Sequence, residues 1–231
     1  RYPDLSPGGV LRLADYAGTA VFAASGSITA GVAGMDVCGQ LIVGVVTAVG
    51  GGTFRDAIML NKRPFWMEEW EYIALGLAAA LATSMVWPTL KPDGYVKGEV
   101  RKSWAAQGGG EGSAMQTADS AALGVFAVVG AMNGIRGGCH PLLVATCGMA
   151  TATFGGMTRD VLTRRPVRIL HSHEEPYATV AFSSALGYMA LRGVGASLAV
   201  RMGAVVTATT AVRWLLVNNG VKLPAWGEDR A

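Results

Sequence analysis

Seven stretches of this chain are long and apolar enough to cross a lipid bilayer as helices. A helix needs about 20 mainly apolar residues to cross a hydrocarbon core of roughly 30 Å. The composition agrees, because 51% of the 231 residues are hydrophobic and 15% are charged, with a mean hydropathy of +0.36, which is too apolar for a soluble domain. The sequence therefore predicts an all-α transmembrane protein whose spans are Leu13–Ala33, Cys38–Leu60, Trp70–Trp87, Thr117–Ile135, Leu142–Leu162, Glu175–Leu191 and Ser197–Val217.

Charge and cysteine patterns exclude other classes of protein. The net charge of +3 is dispersed without a block of like charges, so no nucleic-acid partner is expected. The three cysteines lack CxxC spacing and lie in or beside apolar runs, so we interpret Cys38, Cys139 and Cys147 as small apolar residues rather than disulfide or metal sites. Because residue 1 is Arg rather than Met, we expect that the chain is processed or truncated.

The chain divides into two related halves within a single membrane domain over residues 1–231. Residues 91–116 are polar and contain GGGEGS, which predicts a flexible linker. It separates repeat 1 (11–90), whose third helix should end at Pro88, from repeat 2 (117–193) and a seventh helix (194–220). A shift of 104 residues superposes Asp15 on Asp119, Phe22 on Phe126, Gly26 on Gly130, Gly51-Gly52 on Gly155-Gly156, Arg55 on Arg159 and Asp56 on Asp160. Because each half has three spans, the second copy enters the membrane from the opposite side, which predicts an inverted repeat.

Glycines interrupt the second and fifth spans, in GGGTFRD at 50–56 and FGGMTRD at 154–160. Matching glycine interruptions in inverted repeats predict broken helices, and unwound backbone is stable in a membrane only where it is buried in protein or lines water. A break would free the carbonyls near Val46–Val49, which favour cations. The predicted pore and hinge residues are Gly50, Gly51, Gly52, Thr53, Gly155, Gly156, Ser25, Ser27, Thr29 and Thr47. The alternative for the hydroxyl groups is a hydrogen bond to their own or a neighbouring helix.

An Arg-Asp doublet follows each glycine motif. Charged side chains at this depth should face the protein interior or each other, and neighbours at i and i+1 do not face each other on a helix. One hypothesis is therefore that Arg55 pairs with Asp160 and Arg159 with Asp56, across the two repeats. The alternative is that the doublets cap or anchor the broken helices.

Several runs resemble both repeats of the prokaryotic-type trimeric intracellular cation (TRIC) channel family, whose bacterial members are also labelled a glycine-transporter domain. These runs are GTAVFAASGSITAG, VVTAVGGGTFRDAIMLNKRPFW, ALGVFAVVGA, FGGMTRDVLTRRP and EEPYATVAFSSALGYMALR. The resemblance implies a seven-helix protomer, a homotrimer, one potassium-permeable pore in each protomer and glycine bends in two pore helices. The second copy departs from the first, with Phe154 in place of Gly50 and Met157 in place of Thr53.

The function that the sequence favours is passive conduction of monovalent cations, with potassium and bound lipid as the expected ligands and no cofactor. The alternatives are a transporter of a small neutral amino acid such as glycine and a non-conducting subunit of a larger membrane assembly, with residues 91–116 as its contact. An enzyme is not expected, because GGGTFRD lacks the Lys-Ser/Thr of a nucleotide loop. The HSHEE segment at 171–175 is not expected to bind metal, since it is a loop with only His140 as a further histidine.

Basic residues predict the orientation in the membrane, which is either a plasma (inner) membrane or an organelle membrane. Of the 19 Lys and Arg residues, eight fall on the side of the N-terminus and the other eleven on the opposite side. The richer side should face the cytoplasm or its equivalent. The cluster Arg164, Arg165 and Arg168 would then lie on the inner side, where anionic lipid head groups attract basic residues.

Overall fold

The protein is all-helical in the part that the structure describes. The computed structural model describes residues 6–90, 113–170 and 176–221, and no strand occurs within these ranges. The predicted all-α class is confirmed, and each predicted apolar segment overlaps a long helix, whereas the short α3 was not predicted. The eight α-helices in these ranges are α1 (Pro7–Val32), α2 (Val37–Phe54), α3 (Phe65–Glu68), α4 (Glu71–Leu90), α5 (Ser113–Arg136), α6 (Pro141–Leu162), α7 (Tyr177–Gly193) and α8 (Leu198–Asn218).

Capping residues set where the first helices begin. The Ser6 hydroxyl accepts a hydrogen bond from the Gly9 amide at 3.2 Å, and Pro7 occupies the first turn of α1. The Asp36 carboxylate accepts from the Gly39 amide at 2.8 Å at the start of α2. Such side chains satisfy amides that have no partner within the helix. Because the turn between α1 and α2 is short, these two helices run antiparallel.

The centre of the bundle is the crossing of α1 and α5. The rings of Phe22 on α1 and Phe126 on α5 have their centroids 4.8 Å apart. Beside them, Ala23 and Ala127 are completely buried and allow close helix packing. Around this centre, α2 packs against α1 and α6, and α8 packs against α5 and α7. We call the end where α1 begins and α5 ends the first face, and the end where α5 begins and α8 ends the second face.

Two helices present apolar side chains to the outside. Among the described residues, the segments long and apolar enough to cross a membrane are Val37–Met59, Glu71–Pro88, Gln116–Arg136 and Leu198–Asn218. Only 17% of the window in α4 and 22% of that in α8 is buried, and Met85 and Trp214 on these helices are largely exposed. Because so much apolar surface is stable in lipid rather than in water, the chain is a multi-pass membrane protein.

The predicted breaks in the second and fifth helices are wrong. The α2 helix continues through Gly50–Gly52 to Phe54, and α6 runs through residues 155 and 156 to Leu162. In the first copy, the following turn, Arg55–Met59, is a π-helix. A π-helical turn is a feature that occurs frequently at functional sites. The two copies therefore differ in backbone after their glycines, and neither is unwound there.

Two predicted boundaries also change. The α4 helix runs past Pro88 to Leu90, because a membrane helix tolerates a proline where neighbouring groups satisfy the freed carbonyl. The α5 helix begins at Ser113, so the last residues of the predicted linker 91–116 are helical. The rest of that linker, residues 91–112, lies outside the described residues.

Candidate functional site

The glycines of the two motifs meet where α2 crosses α6. A Cβ atom added to Gly51 would collide with the carbonyl oxygen of Thr151, and one added to Gly155 would collide with the carbonyl oxygen of Thr47. The shift of 104 residues relates these two contacts. Only glycine leaves room for backbones to approach this closely. The glycines therefore set the distance between α2 and α6 and do not break either helix.

The mismatch between Gly50 and Phe154 has a packing role at the same crossing. A Cβ on Gly50 would lie 3.3 Å from the Cα of Gly155, so a side chain here would push the backbone of α6 away by a few tenths of an ångström. In the second copy, the Phe154 ring packs on Phe54 with centroids 4.0 Å apart and an interplanar angle of 31°. One phenylalanine pair thus covers the crossing on one side.

The first Arg-Asp doublet forms a buried ion pair beyond the crossing. Arg55 Nε donates to Asp56 Oδ1 at 2.8 Å, and the two residues are 3% and 5% exposed. Arg55 Nη1 also donates to Thr151 Oγ1 on α6 at 3.3 Å. The other carboxylate oxygen of Asp56 accepts from the Phe65 amide at 3.1 Å, which ties the start of α3 to the doublet. The doublet therefore joins α2, α3 and α6.

The second doublet repeats the local ion pair with a different outer partner. Arg159 Nε donates to Asp160 Oδ1 at 2.9 Å, and both residues are buried. Arg159 Nη1 donates to Ser25 Oγ on α1 at 2.9 Å. Each arginine thus holds its neighbouring aspartate and reaches a hydroxyl group in the other half of the chain.

The hypothesis that the ion pairs cross between the repeats is wrong. The ion pairs are Arg55 with Asp56 and Arg159 with Asp160, although residues at i and i+1 point in different directions from a helix. The long arginine stem lets Nε reach back to the adjacent carboxylate. Nη1 of each arginine donates instead to a hydroxyl group of the other repeat.

A large cavity leads from the first face to the first doublet. It has a volume of about 530 Å³, and its rim includes the exposed residues Lys62, Glu68 and Arg136. Deeper in the wall, Asp15 Oδ2 accepts from the Tyr72 hydroxyl at 2.6 Å. Side chains of both signs line this first cavity, namely Arg12, Arg55, Lys62, Arg63 and Arg136 with Asp15, Asp56, Glu68 and Glu69. The first cavity can therefore hold hydrated ions within the protein.

A second cavity occupies the corresponding place toward the second face and is nearly closed. Its volume is about 20 Å³, room for about one water molecule. Asp119 Oδ2 accepts from Arg213 Nη1 on α8 at 2.7 Å. The Arg213 guanidinium lies 4.4 Å from the centroid of the Tyr177 ring. Residues lining the second cavity include Thr47, Asp119, Gly156, Arg159, Asp160 and Tyr177.

Comparison with known proteins identifies the family. The family model described as Glycine transporter matches residues 12–88 and 116–193. The UPF0126 inner membrane protein YadS of Escherichia coli K12 is 34% identical over 223 residues, which cover 93% of this chain and 95% of that protein. The TRIC orthologue from Rhodobacter sphaeroides is 31% identical, with a TM-score of 0.75 over 92% of this chain and 99% of that one. The chain belongs to the prokaryotic TRIC family.

Two further comparisons agree, one with a bacterial membrane protein and one with a solved TRIC structure. A UPF0126 membrane protein of Vibrio cholerae is 30% identical over 208 residues, covering 85% of this chain and 79% of that protein. A structure solved to explain conductance through TRIC cation channels is 28% identical, with a TM-score of 0.79 over 95% of this chain and 98% of that chain. The TRIC fold thus extends over nearly the whole chain.

In this TRIC family member, the hydroxyl groups predicted to line a path form hydrogen bonds within the protein, and whether they line a path stays a prediction. Ser27 Oγ donates to the Ala80 carbonyl on α4 at 3.1 Å, and Thr29 Oγ1 donates to the Ser25 carbonyl at 2.8 Å. Thr53 Oγ1 accepts from the indole nitrogen of Trp66 at 2.9 Å. Of the predicted pore and hinge residues, Gly52 lines the first cavity, and Thr47 and Gly156 line the second.

Sequence reasoning did not select several residues that the TRIC fold brings to the cavities. Asp15 and Asp119 were recognised only as repeat identities, although an ionisable residue within a membrane span is by default a functional candidate. The same signal applies to Arg213, one of two arginines in the last apolar helix. Tyr72 and Tyr177 gave no such signal, because a tyrosine in an apolar helix is usual.

Arg164 and Arg165, predicted to contact lipid, line neither cavity. Arg164 is exposed and Arg165 is half-buried, whereas the side chain of Arg168 lies outside the described part. The segment at 171–175 also lies outside it, so the expectation that it binds no metal stays a prediction. Within the described ranges, no group of three or more His, Cys, Asp or Glu residues is placed to hold a metal ion.

Proposed function

We propose that this TRIC family member is a passive channel for monovalent cations, chiefly potassium. The observation that carries the proposal is the first cavity, which leads from one face to the buried doublet Arg55-Asp56 at the crossing of the glycine helices. Similarity to solved TRIC cation channels over more than nine-tenths of the chain supports it. Conduction involves no chemical step, so the proposed function is not that of an enzyme.

Side-chain oxygens, rather than backbone carbonyls, are the groups that would hold a cation in this channel. Because α2 is continuous, the carbonyls near Val46–Val49 stay within the helix. The first cavity instead offers the carboxylates of Asp15 and Asp56 and the hydroxyl of Thr151. Oxygen ligands can replace part of the hydration shell of a cation. The ion pair with Asp56 also reduces the repulsion between Arg55 and a passing cation.

The proposed assembly is a homotrimer of seven-span protomers in the bacterial inner membrane. The long helices α1, α2, α4, α5, α6, α7 and α8 would cross the bilayer, with α1 to α4 and α5 to α7 as inverted repeats. The paired contacts of Gly51 and Gly155 support the repeat. The names of the solved TRIC channels and of the Escherichia coli relative support the trimer and the membrane.

Two further partners belong to the proposal. The basic cluster Arg164, Arg165 and Arg168 would meet anionic lipid head groups on the second face, at about 1 kcal/mol for each charge. Residues 91–112, the part of the predicted linker that precedes α5, would serve as a solvated tether, or as the contact with a larger membrane assembly. Protection of this segment from proteolysis in native membranes would favour the contact.

Planar-bilayer recording of the purified protein tests the channel. We expect ohmic currents in symmetrical potassium chloride and a reversal potential that follows the potassium gradient. Recording in potassium against sodium then measures the selectivity between them. Bilayers that stay silent with correctly folded, trimeric protein would contradict the proposal.

A transporter of glycine is the second candidate, and a specific observation favours it. The first cavity is large and open to the first face, whereas the second cavity is nearly closed, as alternating access requires. The carboxylate of a bound amino acid could pair with an arginine, and its ammonium group with Asp15. Saturable glycine uptake into proteoliposomes without current would favour the transporter, and neither activity would favour a non-conducting subunit.

A further inference from the structure

Seven residues of each cavity have an identical residue at the equivalent position of the other cavity. The first has Asp15 and Arg55-Asp56 in its wall, and the second has Asp119 and Arg159-Asp160. Each cavity also takes a phenylalanine and a threonine from the other half of the chain. In order, the matched residues of the first and second cavities are Asp15 and Asp119, Gly52 and Gly156, Arg55 and Arg159, Asp56 and Asp160, Tyr72 and Tyr177, Phe126 and Phe22, and Thr151 and Thr47.

The equivalent aspartates of the two cavities have different partners, because Asp119 pairs with a residue that belongs to neither repeat. Arg213 lies on α8, beyond residue 193, where the second family match ends. Its side chain is 2% exposed, pairs with Asp119 and lies against the Tyr177 ring. In the described part of the chain, no salt bridge joins Asp15 to an arginine or lysine, and Asp15 bonds to the Tyr72 hydroxyl. The equivalent aspartates thus face an open cavity in one repeat and a guanidinium in the other.

The α8 helix holds Arg213 in this position through a second contact. The hydroxyl groups of Thr209 on α8 and Ser184 on α7 are 2.7 Å apart and share a hydrogen bond. Thr209 precedes Arg213 by one helical turn, so both side chains point toward the same side of α8. This bond fixes the register of α8 against α7 and keeps the guanidinium beside Asp119.

We propose that Arg213 closes the second cavity and thereby controls passage of ions to the second face. This inference rests on the proposed channel function. In the closed state, the guanidinium holds two residues of the second cavity's lining, Asp119 and Tyr177, and neutralises Asp119. When Arg213 moves away, water enters, and Asp119 faces a hydrated cavity as Asp15 does. The last helix then acts as the gate, and the two repeats supply the path.

Potassium currents through an Arg213→Ala variant test the gate. Removing the side chain releases Asp119 and Tyr177 in the lining of the second cavity, so we expect the mean current in planar bilayers to rise at least several-fold over that of the parent. Arg213→Lys keeps the charge and should stay close to the parent. The matched control is Arg201→Ala, which removes another arginine of α8 that lies 5.3 Å from the Tyr188 ring and lines neither cavity; its current should not change.

Chemical labelling tests the same closure without relying on current. A Gly156→Cys variant places a thiol in the second cavity, where a Cβ has 3.9 Å to its nearest neighbour. In a background without Cys38, Cys139 and Cys147, a membrane-impermeant thiol reagent should label it slowly from the second face. We expect Arg213→Ala to raise the labelling rate about tenfold and Arg201→Ala to leave it unchanged.

The two measurements separate failure of the gate from failure of the channel. Faster labelling in a protein that carries no current supports the closure and overturns the proposed function. Currents that are present but unchanged in Arg213→Ala, together with unchanged labelling, overturn the gate. If Arg213→Ala does not elute as folded trimer, Asp119→Asn removes the same ion pair while keeping the side-chain shape. Asp119→Asn should raise both the mean current and the labelling rate, as Arg213→Ala should. No change in either quantity would overturn the gate.

Discussion

At the scale of single residues, the Arg-Asp doublets show how charges are tolerated inside a membrane protein. Arg55 and Asp56 neutralise each other, and the remaining polar atoms bond to Thr151 and to the Phe65 amide. Removing the partner of a buried charge destabilises the fold by more than the intact pair stabilises it. The doublets should therefore behave as units.

The first prediction is that Asp56→Ala destabilises the protein far more than loss of the whole pair. The variant leaves a buried arginine unpaired, which costs about 3–5 kcal/mol. The double variant Arg55→Met, Asp56→Ala removes that charge and should recover part of the loss. Free energies of unfolding in mixed micelles measure both effects, and Glu71→Ala at the exposed rim serves as the control, with a change below about 1 kcal/mol.

The local pairing also predicts the result of a charge swap between repeats. Arg55→Asp combined with Asp160→Arg should not rescue the losses of the single variants, because these residues are not partners. Rescue by this swap would contradict the local ion pairs. A smaller loss of unfolding free energy for Asp56→Ala than for Glu71→Ala would contradict the first prediction.

At the scale of helices, the crossing of α2 and α6 depends on glycines as spacers. Gly51 and Gly155 each contact a backbone carbonyl of the other helix, so backbone rather than a flexible side chain would have to move. The π-helical turn Arg55–Met59 follows this crossing in one copy only. The crossing is therefore common to both repeats, and the turn after it distinguishes them.

The second prediction is that alanine at either contact glycine drives the two helices apart. Helix propensity alone favours alanine by about 1 kcal/mol, whereas overpacking costs about 1–3 kcal/mol and a backbone clash more. We expect Gly51→Ala and Gly155→Ala to lower the unfolding temperature and the yield of folded protein. Gly76→Ala is the control, since this buried glycine of α4 has its nearest neighbour at 3.5 Å; unfolding temperatures equal to that of Gly76→Ala would contradict the spacer role.

At the scale of the whole molecule, the bundle is open at one end and nearly closed at the other. The first cavity holds about 530 Å³ and the second about 20 Å³, although seven residues of the second have identical counterparts in the first. An apolar exterior on α4 and α8 surrounds this polar interior. The difference between the two ends, rather than the repeat itself, should determine how the protein works.

The third prediction is that a thiol in the first cavity is accessible from one side of the membrane only. In the background without native cysteines, Asn133→Cys should react with an impermeant reagent added at the first face. Ser27→Cys is the control, because Ser27 is completely buried and bonded to α4. Labelling of sealed vesicles of known orientation gives the side, which the distribution of basic residues predicts to be the outer one. Equal labelling from both sides would contradict the closed second face.

The sequence alone was sufficient for the features that depend on local pattern. Apolar length predicted where the long helices lie, since a segment able to cross a bilayer must form its hydrogen bonds internally. The register of 104 residues predicted which residues occupy equivalent places. It also marked Gly50 against Phe154 as a difference between the copies, which the structure explains by the packing of Phe154 on Phe54.

Only the tertiary structure decided what the glycines, the charges and the last helix do. A glycine can unwind a helix or bring two helices together. The Thr151 and Thr47 carbonyls lie directly beside Gly51 and Gly155, so here the glycines bring two helices together. An arginine can reach several carboxylates, and packing selected the adjacent one. Arg213 is remote in sequence from Asp119 and lies outside the repeat. Its position therefore follows from how α8 packs on α5 and α7, which no local pattern records.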